Sequence, residues 1–228
     1  MALPTRANGV ASGRSAPPDL AFSVEGAEPL RFAAVPTLSF RVGIERLSGA
    51  PVRSIALNVQ IRIAATRRSY DRATQERLIE LFGGPEVWGR GLRSLPWTHA
   101  IGQVAPFDES TVLGLEVACT YDFEVAASKY LHALRDGDVP LELLFSGTVF
   151  YAGEGGRLQV SLVPWEKEAD YRMPIQVWRG MMDHYFPNSA WLRLNRDSFD
   201  RLYAYRSRNA LPSWERTVDA LLDEAEEG

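Results

Sequence analysis

The sequence predicts an α+β protein. An antiparallel β-sheet of about six or seven strands is covered by helices near the C-terminal end, and a β-sandwich with C-terminal helices is the alternative. Three observations lead there. Apolar and polar residues alternate over 37–45 and 52–64, the period of half-buried strands. Helical spacing dominates only beyond residue 174. Strands and helices do not alternate as βαβ units, so a doubly wound nucleotide-binding fold is not expected.

Residues 20–24 begin the ordered part, with Phe22 and Val24 on one side; residues 26–29 read as a turn and 30–34 as a short extended piece ended by Pro36. Along 37–45, Leu38, Phe40, Val42 and Ile44 share a face. Ser48-Gly49-Ala50-Pro51 is turn chemistry, which predicts that this strand pairs with the next as a hairpin. In 52–64, Ile55, Leu57, Val59, Ile61 and Ile63 point one way, and Ser54, Asn58, Gln60 and Arg62 the other.

An amphipathic helix is expected over 71–82, stopped by Gly83, Gly84 and Pro85. Residues 86–102 are rich in Trp and Gly and aperiodic, and read as a long loop. Strand alternation returns over 111–125. A helical turn fits 128–134. Strands over 140–152 and 156–163 join through Gly153-Glu154-Gly155-Gly156 as a hairpin. Ile175, Trp178, Met182, Tyr185 and Phe186 mark a helix stopped at Pro187-Asn188. Leu192 and Leu194 suggest a short extended segment. Asn195 or Asp197 caps a second helix carrying Phe199, Leu202 and Tyr203, and an acidic helix spans 213–227.

The domain reading is an arm over 1–18, dominated by Gly, Ser, Pro and Ala and expected to be disordered, followed by one domain over 19–228. A hydrophobic content of 46%, a charged content of 24% and a net charge of −4 suit an ordinary globular protein, and the mild negative charge argues weakly against a nucleic-acid binder, whose footprint is a basic stripe. The single cysteine, Cys119, forbids an internal disulfide and points to a reducing, cytoplasmic setting. No apolar run is long enough for a membrane span.

No catalytic motif is present. His99, His132 and His184 are isolated, without metal-ligand spacing, and no Gly-rich phosphate loop occurs. No enzymatic activity, metal or cofactor is therefore expected; Asp183, His184 and Arg179 are the nearest to a rival polar site. The six tryptophans are more informative. Most belong in a core, but Trp88 and Trp97 fall in the aperiodic stretch and suggest an apolar groove for extended polypeptide. The candidate polypeptide-binding residues are Trp88, Trp97, Trp178, Met182, Tyr185, Phe186 and Trp191.

Three segments resemble the SecB family of cytoplasmic export chaperones. The first is Phe22-Ser23-Val24, Leu30-Arg31-Phe32-Ala33, Pro36 and Ser39-Phe40. The second is the run from Ile55 to Ala65. The third is Pro174, Trp178-Arg179, Met182, Phe186-Pro187, Leu194 and Phe199-Asp200-Arg201-Leu202-Tyr203. Against that family, residues 67–110 are an insertion and the helix after Pro212 is extra. The resemblance implies a holdase that binds client polypeptides without hydrolysing nucleotide, and a homo-oligomer, dimer or tetramer. The chain is also similar to an uncharacterised bacterial family encoded near nickel-iron hydrogenase genes, which implies an assembly role. A structural or adaptor protein binding one folded partner is the alternative function.

Overall fold

The computed structural model describes residues 16–120, 122, 125–189 and 192–227. Eight strands and seven α-helices follow in chain order among them: β1 (Asp19–Pro29), β2 (Thr37–Ser48), β3 (Val52–Ile63), α1 (Arg72–Arg77), α2 (Ile79–Phe82), α3 (Trp88–Gly91), β4 (Leu95–Val104), β5 (Ser110–Ala118), α4 (Ala126–Ala133), β6 (Asp138–Ala152), β7 (Leu158–Leu162), β8 (Glu168–Pro174), α5 (Ile175–Tyr185), α6 (Arg196–Arg208) and α7 (Trp214–Glu227). The fold is α+β, with two antiparallel sheets. One runs β1-β2-β5. The other runs β4-β3-β6, and β6 is flanked on its far side by β7 along one half and β8 along the other.

The chain divides into two compact units at Ser189/Ala190. In the first, the two sheets close on one core. Leu38, Phe40, Val42 and Ile44 of β2 are buried, as are Ile55, Leu57, Val59, Ile61 and Ile63 of β3. Aromatic contacts bridge the sheets: Phe22 stacks on Phe145 at 4.3 Å, and Phe40 meets Trp97 and Tyr171 edge-on at 6.1 and 6.3 Å. This is the sandwich arrangement, each sheet burying one face against the other.

The expected β2–β3 hairpin does not form. Each strand already has a neighbour on both sides, β1 and β5 for β2, β4 and β6 for β3. Their apolar faces must oppose each other across the core, so the chain crosses between sheets at 49–51. Gly49 makes the crossing at φ +84°, where a Cβ would lie 2.3 Å from the Pro17 carbonyl oxygen.

Other boundaries shift for similar reasons. β1 continues through Gly26 by a bulge between Val24 and Gly26, so the predicted turn over 26–29 is strand. Residues 30–34 are a turn rather than an extended piece. The stretch read as a loop, 86–102, contains α3 and most of β4. Its alternation is hidden by Pro96, by the register shift opposite Ile61/Arg62, and by polar residues on the solvent side. The segment 67–110 therefore supplies β4, a partner of the central strand. β8 is an additional strand, pairing Glu168–Pro174 with the first half of β6. The hairpin of β6 and β7 around 153–157 agrees with the sequence.

The second unit is a helical pair. Asn195 caps α6, its side-chain oxygen accepting from Ser198 N–H at 2.8 Å. Phe199 and Tyr203 of α6 pack on Trp214, and the Arg206 guanidinium lies 4.7 Å over the Trp214 ring. Tyr205 donates to Glu224 of α7 at 2.7 Å. Residues 192–195 are irregular, not extended pairing strand.

Gly147 of β6 sits at φ +144°, and a Cβ there would fall 2.1 Å from the Ala56 carbonyl oxygen. Gly155 also has positive φ, but open space. Gly155→Ala is expected to cost about 1–2 kcal/mol. Gly147→Ala must displace the central pair of strands and is expected to abolish soluble folding or lower the denaturation midpoint far more. Urea denaturation followed by tryptophan fluorescence checks the contrast.

Candidate protein-binding surface

The tryptophans expected to grip a client are drawn into the interior. Trp178 and Met182 are 3% exposed on the inner side of α5. Trp97 is half-buried against Phe40. Trp88 is half-buried; its indole N–H donates to the Gly83 carbonyl at 2.9 Å and its ring meets Tyr70 and Phe82 edge-on. Tyr185 donates to the Leu30 and Ala33 carbonyls at 3.1 and 2.9 Å, and Phe186 packs on the core. Trp191 lies outside the described residues. Among the described residues these side chains are buried or half-buried. The physical reason is area: large aromatic side chains gain most from burial.

An exposed apolar row lies on the outer face of the five-stranded sheet. β7 carries Leu158, Val160 and Leu162, respectively 65%, 56% and 75% exposed. Opposite them on β6 stand Ala152, Phe150 and Thr148. Beyond these come Ser54 and Ala56 of β3, and on β4 Ile101 faces Asn58. Trp165, immediately after β7, is 89% exposed.

The other half of the same face is charged. Glu142 of β6 pairs in register with Asp170 of β8 and Arg62 of β3. Arg67 bonds Asp170 at 2.6 Å and Glu142 at 3.0 Å. The face is thus split into an ion-paired end beside β8 and an uncharged, apolar end beside β7. The signal in the sequence was the strict Leu-x-Val-x-Leu alternation of β7. Reading it required knowing that its apolar side faces solvent, which depends on which face of β6 is buried.

Asp183 and His184 are both exposed, and Arg179 is spent on the Leu134 carbonyl at 3.2 Å. Burial, then the neighbouring Arg135, Arg179 and Arg77, hold His132 below its ordinary value. Among the described residues no group of three His, Cys, Asp or Glu could hold a metal, and no helix is long and apolar enough to cross a membrane. The Tyr70 and Tyr130 hydroxyls bond each other at 2.7 Å, and Tyr70 also bonds the Ala65 carbonyl at 2.6 Å. This pair ties the helical layer together beneath Trp88.

The model of the DUF6084 family, a family of unknown function, matches residues 17–228. The chain belongs to DUF6084. The match runs through both compact units, so the sandwich and the helical pair both fall within DUF6084. No curated protein matches the chain.

Two outcomes are expected of this DUF6084 member. Tyr70→Phe orphans the buried Tyr130 hydroxyl and should cost about 1–3 kcal/mol, whereas Tyr130→Phe leaves Tyr70 bonded to Ala65 and should cost about 1 kcal/mol; denaturation midpoints decide. Burial pushes the Cys119 thiol from 9.0 up to about 12, and pushes the Tyr70 and Tyr130 hydroxyls up as well. Acids with raised folded values stabilise fully below their unfolded values and lose that contribution as pH rises. Stability should therefore fall between about pH 9 and 12, with Cys119→Ala softening the onset; midpoints measured across that range check it.

Proposed function

We propose that the protein is a non-enzymatic, SecB-like holdase or assembly factor, which binds a client polypeptide through the apolar end of its larger sheet. The observation that carries this reading is the uncovered row of Leu158, Val160 and Leu162 beside Phe150, with Trp165 at its end. Contiguous exposed apolar surface rimmed by polar groups is costly in water and marks protein interaction sites. The rim here is the Arg67–Glu142–Asp170 cluster on the same face. Client binding at such a surface needs no cofactor and no nucleotide; apolar burial drives it.

The chemistry favoured is an extended or partly folded segment with alternating apolar side chains. A pleated face presents its side chains two residues apart, matching the spacing of an extended chain. A single folded partner is the second reading, favoured by the flatness of a sandwich face compared with a groove.

At stoichiometric amounts the protein is expected to suppress aggregation of an unfolded model protein, monitored by light scattering. Leu158→Ser with Leu162→Ser should reduce that suppression several-fold. Arg67→Ala on the charged end should leave it near wild type. Equal activity in the double variant and the wild type would remove the apolar row from the reading. Absence of any suppression, together with stoichiometric co-purification of one folded protein, would favour the adaptor.

A further inference from the structure

We infer that β7 is a self-association edge: two copies pair antiparallel through it about a two-fold axis at Val160, joining their larger sheets into one. Gly153 N–H donates to the Arg157 carbonyl, and Val163 N–H donates to the Gly147 carbonyl. In that ladder the odd-numbered residues of β7 face β6, so the N–H and C=O of Leu158, Val160 and Leu162 point away from it. Among the described residues β7 pairs with β6 alone. The outward groups are open to a second strand.

The sequence of β7 is self-complementary in that setting. Centred on Val160, an antiparallel copy sets Val160 against Val160, Leu158 against Leu162 of the second copy, and Gln159 against Ser161. Every apolar side chain meets an apolar one on the outer face, and every polar one meets a polar one on the other. Each of the three outward pairs can exchange two backbone hydrogen bonds, about six in all. No charge is opposed to a like charge within the strand.

The other sheet edges are guarded. β1 carries Glu25 and Glu28; β8 carries Glu168, Asp170 and Arg172; β5 carries Glu116; β4 carries Pro96 beside a register shift. Charges, prolines and irregular register are how sheet edges are kept from pairing. β7 has none of them. Past the strand, the same two-fold directs the exposed Trp165 of each copy toward the other's 154–156 turn, where Gly155 and Gly156 leave open space. Pairing would also place two Leu158–Val160–Leu162 rows side by side on one continuous face. That last consequence rests on the proposed client binding; the pairing itself does not.

The test is the solution mass of the full chain by light scattering, from about 1 to about 200 µM, because a short edge contact sits at the weak end of interfaces. The wild type is expected to rise toward twice the 25.4 kDa of one chain. Val160→Glu and Val160→Lys should each stay monomeric at all concentrations, since each opposes a charge to itself, and an equimolar mixture of the two should recover the dimer. Val160→Pro removes only an outward N–H and should be monomeric with an unchanged circular dichroism spectrum. A monomeric wild type at the highest concentration, or a dimer that survives Val160→Glu, overturns the inference. Suppression of aggregation by a monomeric wild type would leave the client-binding reading standing; a dimer without suppression would end that reading and keep the edge.

Discussion

The burial of β3 against β2 sets the terms for everything else in the first unit. Five alternate side chains of β3 are fully buried, and Leu38, Phe40, Val42 and Ile44 of β2 are buried in the same core. Strands buried on one face leave the other face to be decided by what lies on it. In the three-stranded sheet that face is polar, with Ser23, Glu25, Arg41 and Glu45. In the five-stranded sheet it changes character along its length, from ion pairs beside β8 to aliphatic side chains beside β7. The contrast is local, and β6 makes it possible by serving two partners with its two halves.

What could be read from the sequence follows the same line. The inward faces of β2 and β3 were legible because their alternation is long and uninterrupted. The end of α5 was legible from Pro187-Asn188, and the cap of α6 from Asn195. Pairing was not legible. Turn chemistry at Ser48-Gly49-Ala50-Pro51 is compatible with a hairpin and with a crossing between sheets, and only the demand of two apolar faces to meet decides between them. β4 was obscured because its irregular register puts Pro96 where alternation would otherwise continue. β8 was obscured by its charged outward side.

The outward aliphatic row of β7 was illegible for a related reason. Trp88, Trp97 and Trp178 stand out by size, yet large aromatics reward burial most and all three pack in or against the core. Leu158, Val160 and Leu162 look like core residues of an ordinary strand. Their significance comes from β6, whose inward Val149 and Tyr151 already fill the interior. The neighbouring strand must then turn Gln159 and Ser161 inward and its aliphatic row outward. Membership of DUF6084 fixes the extent of the family across both units and leaves the chemistry of this face to be read from the residues themselves.

The hydroxyl of Tyr185 has a consequence at a distance from that face. It bonds the carbonyls of Leu30 and Ala33 from α5, while Leu30 N–H donates to the Thr37 carbonyl at 2.8 Å, so the β1–β2 connection is pinned on two sides. Phe32 stands at its tip, 99% exposed. A bulky ring is thus held out on a braced support, its backbone already ordered before any contact is made. The entropy of fixing that loop is spent during folding, and a body meeting Phe32 has only one side chain left to immobilise.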